Sequence, residues 1–312
     1  MATDQLPKVS ICIPTYNQII YLDILLRSIE KQTFTDYEII LSDDSTTDNV
    51  QNLLNNFSFG HKLTYTRNKP SLGSPSNWNA AISKAKGEYV KIMHHDDAFT
   101  SYTSLEEMVN FIEANNYDYI FTDTKVNNVK KPEESREHTI RKLSKIIRKP
   151  YLLFFGNSIG SPSTLLLKRE KFAQLKYDSA YIWLVDIEYY TRLFSISSKG
   201  NSIPKPLIIT HGSAEHQLTS KILTNFPLQA REQALLYNQL SQEASSISEF
   251  FMQIYFVRLL FKGKLNDKKI LAIFSQPPLP VRIYFSVIKF KPLYFACKIL
   301  TQLLDMTRKL FL

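Results

Sequence analysis

Residues 9–17 read VSICIPTYN, residues 37–46 read YEIILSDDST and residues 88–97 read EYVKIMHHDD. Each is a short apolar run that stops in a cluster of small polar or acidic side chains. Runs of this length and composition read as strands of a parallel sheet, buried on both faces. Between them the period changes. Leu22, Leu25, Leu26 and Ile29 fall at i, i+3, i+4 and i+7 and make one apolar face of a helix that ends near Gln32 and Thr33. Val50, Leu53, Leu54 and Phe57 predict a second helix, Leu63 to Thr66 a third strand, and Trp78 to Ala85 a third helix ahead of the run at Glu88 to Met93.

The order β-α-β-α-β-α-β predicts an α/β fold, a mostly parallel, Rossmann-like sheet with flanking helices whose ligands sit outside the carboxyl ends of the strands. Tyr16-Asn17, Asp43-Asp44 and Asp96-Asp97 each follow a strand directly, so three segments bring polar groups to one edge. An isolated Asp-Asp pair is usually a solvated turn or a helix cap. Two such pairs at one sheet edge offer acceptors for a base N–H and ribose hydroxyls, and oxygen ligands for a cation on a diphosphate. Beyond this, Ser104 to Asn115 predicts a helix and Tyr119 to Thr122 a strand. Asn127 to Glu137 reads as a polar loop, and Leu165 to Leu167 as another strand.

The chain has 312 residues, 44% of them hydrophobic, enough for one large α/β domain with an appendage. Its two cysteines, Cys12 and Cys297, suggest neither a disulfide framework nor a cysteine metal site. The start, MATDQLPKVSICIPTYN, lacks the pattern of a secretory signal, so a reducing, cytoplasmic setting is expected. The net charge of +9 is concentrated in Leu143 to Pro150 and Phe256 to Leu312, which implies anionic partners. No nucleic-acid module is recognisable, so an anionic membrane surface is expected and nucleic acid is not. Val257 to Leu312 has no uncharged run long enough to span a bilayer. Its apolar blocks, broken by Arg258, Lys262, Lys289, Lys291, Lys298 and Arg308, resemble interfacial amphipathic helices, with a core-packing appendage as the alternative.

VSICIPTYN, YEIILSDDST and NKPSLGSPSNWNAAISKAKGEYVKIMHHDD together resemble the family 2 glycosyltransferases, which have the GT-A fold. The match runs from Val9 to Asp123 and continues more weakly to about Thr219. The resemblance implies that Pro14, Thr15 and Tyr16, with Asn17, pack on a nucleotide-sugar donor, that Asp44 contacts the base, and that Asp96 reaches the ribose. It implies that Asp97 binds Mn²⁺ or Mg²⁺ as the last acid of a DxD-type motif. Asn68, Gly73, Asn77 and Asn79 fit the family's loop near the nucleotide. Gly73 reads as a close backbone approach or a positive φ, and Asn77 and Asn79 could equally cap the following helix. The sequence departs from the family at His94, which stands where many members have an acid; it reads as a hydrogen-bonding neighbour rather than a ligand. Trp78 reads as core.

An inverting transfer needs a carboxylate to take the acceptor's proton. Asp186, in YIWLVDIEYYTRLF, is the candidate, because the segment resembles the family's acidic motif before a helix, with Val185 in place of the first acid. Glu188 is its rival, and a helix N-cap is the alternative role. SIGSPSTLLLKRE resembles the family's acceptor-side strand, which implies that Ser161-Pro162-Ser163 face the cleft. His211 and His216 follow another short strand; the resemblance implies that a histidine in this region completes the metal's coordination, and His216 is the choice. The domains then read as a nucleotide-sugar-binding half at 1–125, an acceptor-side half at 126–222 and a basic, aromatic helical region at 223–312. The expected activity is metal-dependent transfer of a sugar to a saccharide acceptor, free or polyprenyl-linked, in bacterial surface-polysaccharide (O-antigen or capsule) synthesis. The setting is peripheral, on the inner face of the cytoplasmic membrane. A nucleotidyltransferase and a non-catalytic nucleotide-sugar-binding module are the alternatives.

Overall fold

In the computed structural model, residues 6–128, 135–212 and 222–311 are described. They fall into two compact units. The first comprises Met1–Ile147, Ser158–Ile182 and Arg192–Ala214, and the second Arg148–Asn157, Trp183–Thr191 and Glu215–Leu312.

The first unit begins β1 (Val9–Thr15), α1 (Ile19–Glu30), β2 (Tyr37–Asp43), α2 (Asn49–Leu54), β3 (Leu63–Arg67), α3 (Ser76–Ile82) and β4 (Tyr89–Ile92), in the order the hydrophobic period predicts. All seven residues of β1 are buried, as a strand covered on both faces requires. Helix α1 turns Leu22, Leu25, Leu26 and Ile29 into a core shared with Val9, Ile11 and Ile13 of β1 and with Ile39 and Leu41 of β2. There follow β5 (Asp97–Phe99), α4 (Ser104–Ala114), β6 (Tyr119–Asn128), β7 (Arg136–His138), α5 (Leu143–Arg148), β8 (Leu166–Lys168) and, after α6 (Val185–Ile196), whose residues as far as Thr191 belong to the second unit, β9 (Gly200–Gly212).

The sheet runs β3-β2-β1-β4-β8-β6-β9-β5, with β7 on β6. Its first four strands are parallel and place Thr15 opposite Asp43 and Asp43 opposite Arg67, so their carboxyl ends share one edge. Beyond β4 the sheet is mixed: β8 is antiparallel to β4 and β6, β9 is parallel to β6, and β5 is antiparallel to β9. One expectation is corrected. Of the stretch Asn127 to Glu137, read as a polar loop, Asn127 and Asn128 end β6, and Arg136 and Glu137 belong to β7, which pairs with β6, Arg136 opposite Val126; residues 129–134 lie outside the described residues.

The second unit contains α7 (Phe226–Leu240), α8 (Ser246–Gly263), α9 (Leu279–Val287) and α10 (Lys291–Phe311). Side chains of Asn225 and Ser245 cap α7 and α8 by accepting the amides of Leu228 and Ser248. Helix α8 is the centre of this unit. It buries Phe251, Met252, Phe256, Val257, Leu260 and Phe261, and Tyr284 of α9 donates its hydroxyl to Leu260 O and Leu265 O. Among the described residues no helix is long and apolar enough to cross a membrane.

Candidate active site

The carboxyl edge of the parallel strands holds a polar network centred on Asp44, which is buried just past the end of β2. Its backbone N–H donates to Thr15 O at the end of β1. Its carboxylate accepts three donors from the loop after β3: Asn68 Nδ2 at 2.8 Å, Leu72 N at 3.1 Å and Gly73 N at 2.8 Å. Asn77, also buried, accepts from Asn68 Nδ2 and donates to Thr15 O. Asp44 therefore folds the 68–73 loop against the edge, and about one of its four lone-pair directions is left for a ligand N–H. Gly73 has φ +72° and nothing within 4 Å of where a Cβ would lie, so it serves the turn and not a close approach.

The remaining residues of the first strand's end divide by role. Pro14 and Thr15 are buried, while Tyr16 and Asn17 stand exposed at the lip. Asn17 takes the left-handed conformation, φ 54°, and its N–H donates to Ser45 Oγ. Asn79 is committed elsewhere: its amide nitrogen donates to Tyr177 O and its oxygen accepts Tyr177 N, which ties α3 to that segment. Neither Asn77 nor Asn79 caps α3, whose N-cap is Pro75.

The acid pair lies past β4. Asp97 opens β5 and is buried, and Ser161 Oγ donates to its Oδ2 at 3.4 Å. Ser163 Oγ also bonds Asp97 and accepts the His94 N–H at 2.9 Å. Burial first, then the charge of Asp96, raises Asp97 well above the usual carboxylate range; Ser163, Lys91 and Ser161 oppose the shift. Asp96 is half-buried, and its carbonyl meets His211 Nδ1 at 2.6 Å. Trp78 is a half-buried wall rather than core, its ring 4.4 Å from that of His94 and 5.1 Å from that of Tyr177. The sequence makes His94 a hydrogen-bonding neighbour; among the described residues its buried Nε2 has no partner, and burial lowers its pKa to about 4, so the ring is neutral.

Lys91 is a member of this site that motif reading passes over. It is fully buried within β4, donates to Ser163 O and to Leu165 O, and its ammonium is pushed down to about 7 by burial, with Asp97 pulling the other way. The signal was present: a lysine inside YVKIM, in a strand covered on both faces, has no solvent side to point to. Of the two histidines considered for the metal, His211 lies beside Asp96, and His216 falls outside the described residues.

Among the described residues no three His, Cys, Asp or Glu side chains gather as a metal cage. The Asp96-Asp97 pair instead supplies hard oxygen donors from adjacent positions. That set suits a Mg²⁺-like ion, which keeps several waters and shares one or two carboxylates with substrate phosphates. A buried carboxyl raised by a like-charged neighbour is what a divalent cation would reverse. The residues fit an ion held jointly with a diphosphate and do not fit an all-protein site.

Asp186 belongs to the second unit. It is the second residue of α6 rather than its N-cap, it is half-buried, and burial pushes its carboxyl up to about 7. Just before the helix, the amides of Trp183 and Leu184 donate to the fully buried Glu232 at 2.9 and 2.8 Å, a pairing made by α7. Glu188, the rival acid, is more deeply buried than Asp186.

Residues 10–176, more than half of the chain, match the family described as Glycosyl transferase family 2. The chain belongs to glycosyl transferase family 2. As a family 2 member it is 30% identical to the abequosyltransferase RfbV of Salmonella typhimurium over 228 residues, covering 65% of this chain and 66% of that protein. It is 28% identical to a GalNAc(5)-diNAcBac-PP-undecaprenol beta-1,3-glucosyltransferase of Campylobacter jejuni over 187 residues, covering 57% of this chain and 59% of that protein. In both cases the chain spans less than two thirds of the relative's length. Among solved structures, S. aureus TarS 1-349 in complex with UDP-GlcNAc superposes with TM-score 0.61 at 15% identity, covering 97% of this chain and 91% of that one. The mannosyltransferase PcManGT of Pyrobaculum calidifontis, in complex with GDP-Man and Mn2+, gives TM-score 0.57 at 14% identity, covering 98% and 89%. The fold of this family 2 chain is GT-A.

Proposed function

We propose that this chain is a glycosyltransferase that moves a sugar, with inversion, from a nucleoside-diphosphate sugar to a saccharide acceptor in bacterial surface-polysaccharide synthesis. The observation that carries the reading is the buried Asp97, held by Ser161 and Ser163, past β4 of a sheet whose carboxyl edge also bears the Asp44-ordered loop. Two relatives support it: one is an abequosyltransferase, the other a GalNAc(5)-diNAcBac-PP-undecaprenol beta-1,3-glucosyltransferase.

In this reading Tyr16 and Asn17 at the lip and the 68–73 loop border the nucleotide, Asp44 offers its remaining lone pair to the base, and Asp96 takes the ribose. Asp97, with Asp96 beside it, would hold Mn²⁺ or Mg²⁺, which when bound offsets the charge of the departing diphosphate. A neighbour of the same fold that holds GDP-Man with Mn2+ is consistent with that assignment. Asp186 is assigned as the base that accepts the proton of the attacking hydroxyl, and a carboxyl raised to about 7 is poised for that task near neutral pH. The acceptor we assign is carried on a polyprenyl lipid, which puts the enzyme peripherally at the inner face of the cytoplasmic membrane.

Purified full chain incubated with a panel of UDP-, dTDP- and GDP-sugars, with and without Mn²⁺, tests the proposal. Metal-dependent release of nucleoside diphosphate is the expected result. Pyrophosphate release would assign a nucleotidyltransferase instead, and neither turnover nor a metal-dependent thermal shift with any donor would leave a binding module.

A further inference from the structure

Helix α10 leaves an apolar stripe outside. Its stripe toward the rest of the second unit is mixed: the Tyr294 ring lies 4.9 Å from that of Phe261, Cys297 and Leu304 are half-buried, and the buried Thr301 and Asp305 are polar, Asp305 pairing with Arg258 of α8 and with Arg308 one turn on. Arg308 in turn lies 4.5 Å from the centre of the Phe155 ring and 5.4 Å from that of Tyr255. The opposite stripe, Leu293, Ile299 with Leu300, Leu303 and Met306, recurs at helical spacing and faces outward, with Leu303 56% and Met306 73% exposed. A helix that only packs on a globular core turns such a stripe inward. The contrast with α8, which buries most of its apolar residues, shows that the unit already has a core without this stripe.

The charge around the stripe has one sign. Residues 279–312 contain Arg282, Lys289, Lys291, Lys298, Arg308 and Lys309 against one acid, Asp305; Arg308 and that acid are paired on the inward face, and Arg282 and Lys289 are exposed. Helix α9 adds exposed Leu279 and Ile283 beside exposed Arg282, and Phe290 is exposed at the junction of the two helices. A second copy of the chain would set these cations against their own kind, whereas an anionic bilayer complements both the charge and the apolar stripe. No described helix can span a bilayer, which leaves the in-plane arrangement.

We propose that α10, assisted by α9, lies in the plane of an anionic lipid surface, with Leu293, Ile299, Leu300, Leu303 and Met306 in the headgroup–acyl boundary. The proposal deepens the peripheral-membrane reading above and rests on it only for the biological setting. Donor turnover in solution is untouched by its failure.

Sedimentation of the full chain with phosphatidylcholine vesicles, with and without phosphatidylglycerol, is the test. Binding that needs phosphatidylglycerol and weakens with salt is expected. Leu303→Glu should weaken it at least about tenfold, since a leucine leaves the apolar boundary. Lys289→Glu should weaken it at least about fivefold through the lost attraction at the anionic surface. Both sites are exposed, and circular dichroism checks each variant's fold; if Leu303→Glu misfolds, Lys289→Glu carries the test. Failure of the parent to bind, or undiminished binding by correctly folded variants, overturns the proposal. So does a dimer that binds no vesicles and that Leu303→Glu makes monomeric.

Discussion

The carboxylate of Asp44 accepts the backbone N–H of Gly73 at 2.8 Å, across 29 residues of sequence, and so pins the loop between β3 and α3 to the end of β2. Two further donors from the same loop, the amides of Asn68 and Leu72, converge on the same carboxylate. The second acid of the Asp43-Asp44 pair thus shapes the sheet edge at which the donor is proposed to bind.

Replacing Asp44 with Ala leaves those three donors without their acceptor, at ~1–3 kcal/mol for each that stays buried. The expected outcome is a lower unfolding midpoint together with a raised KM for the donor. Gly73→Ala should act in the same direction but more mildly, by ~1–2 kcal/mol, because it strains a left-handed residue without meeting any neighbour. Equal KM values for parent and Asp44→Ala would show that the loop does not border the donor.

How far the site was legible in sequence follows from what each signal encodes. The strand and helix periods of Val9 to Met93 record burial directly, so the first half of the sheet and the strand-end position of Asp44 could be read from them; Asp96-Asp97 reads as directly following a strand, whereas β4 ends at Ile92 and Asp97 opens a further strand, β5. The commitments of individual polar groups could not. Asn79 clasps Tyr177 across 98 residues, and Lys91 reaches Ser163 across 72, pairings that local spacing cannot encode. The β6–β7 pairing was missed because a polar outer strand looks like a loop when only hydropathy is read. Amphipathicity in the C-terminal region was visible, but which face α10 buries depends on Arg258, in a different helix.

Asp97→Ala removes the acid best placed to hold a cation against a diphosphate. Nucleoside diphosphate release should fall at least about a hundredfold, the scale of losing a preorganised electrostatic contact at the reacting group. In the parent, a chelator should abolish release and added Mn²⁺ or Mg²⁺ should restore it. Full activity of the parent after exhaustive chelation would remove the metal from the scheme.

Lys91 gives a pH signature of its own. Its folded pKa lies at about 7, below the ordinary lysine value, so between about pH 7 and pH 10 the unfolded chain binds more protons than the folded one. Stability contributed by this site therefore rises with pH across that window. Lys91→Met should flatten the rise, as read by denaturant unfolding at about pH 7 and pH 9, and should slow transfer by loosening the Ser163 turn that holds Asp97. An unchanged pH slope in the variant would mean that Lys91 is charged in the folded state over the whole range.

Asp186 separates catalysis from stability. Its folded carboxyl is raised from 3.8 to about 7 by burial, so between those values the folded chain holds a proton that the unfolded chain has lost. The stability tied to this group is present at low pH and is lost as the pH rises through that window. Asp186→Asn abolishes the titration, and the variant should be more stable than the parent at about pH 8. A helix-capping role predicts the opposite sign, a loss of ~0.5–2 kcal/mol. As the base, Asp186 must be ionised, so the parent's transfer rate should climb through about pH 7 to a plateau. The Asn variant should lose transfer by orders of magnitude while donor affinity is kept. Measuring unfolding and turnover on the same protein distinguishes the roles: a stabilised, inactive variant fits the base. A destabilised variant that retains transfer within about tenfold would return the assignment to Glu188.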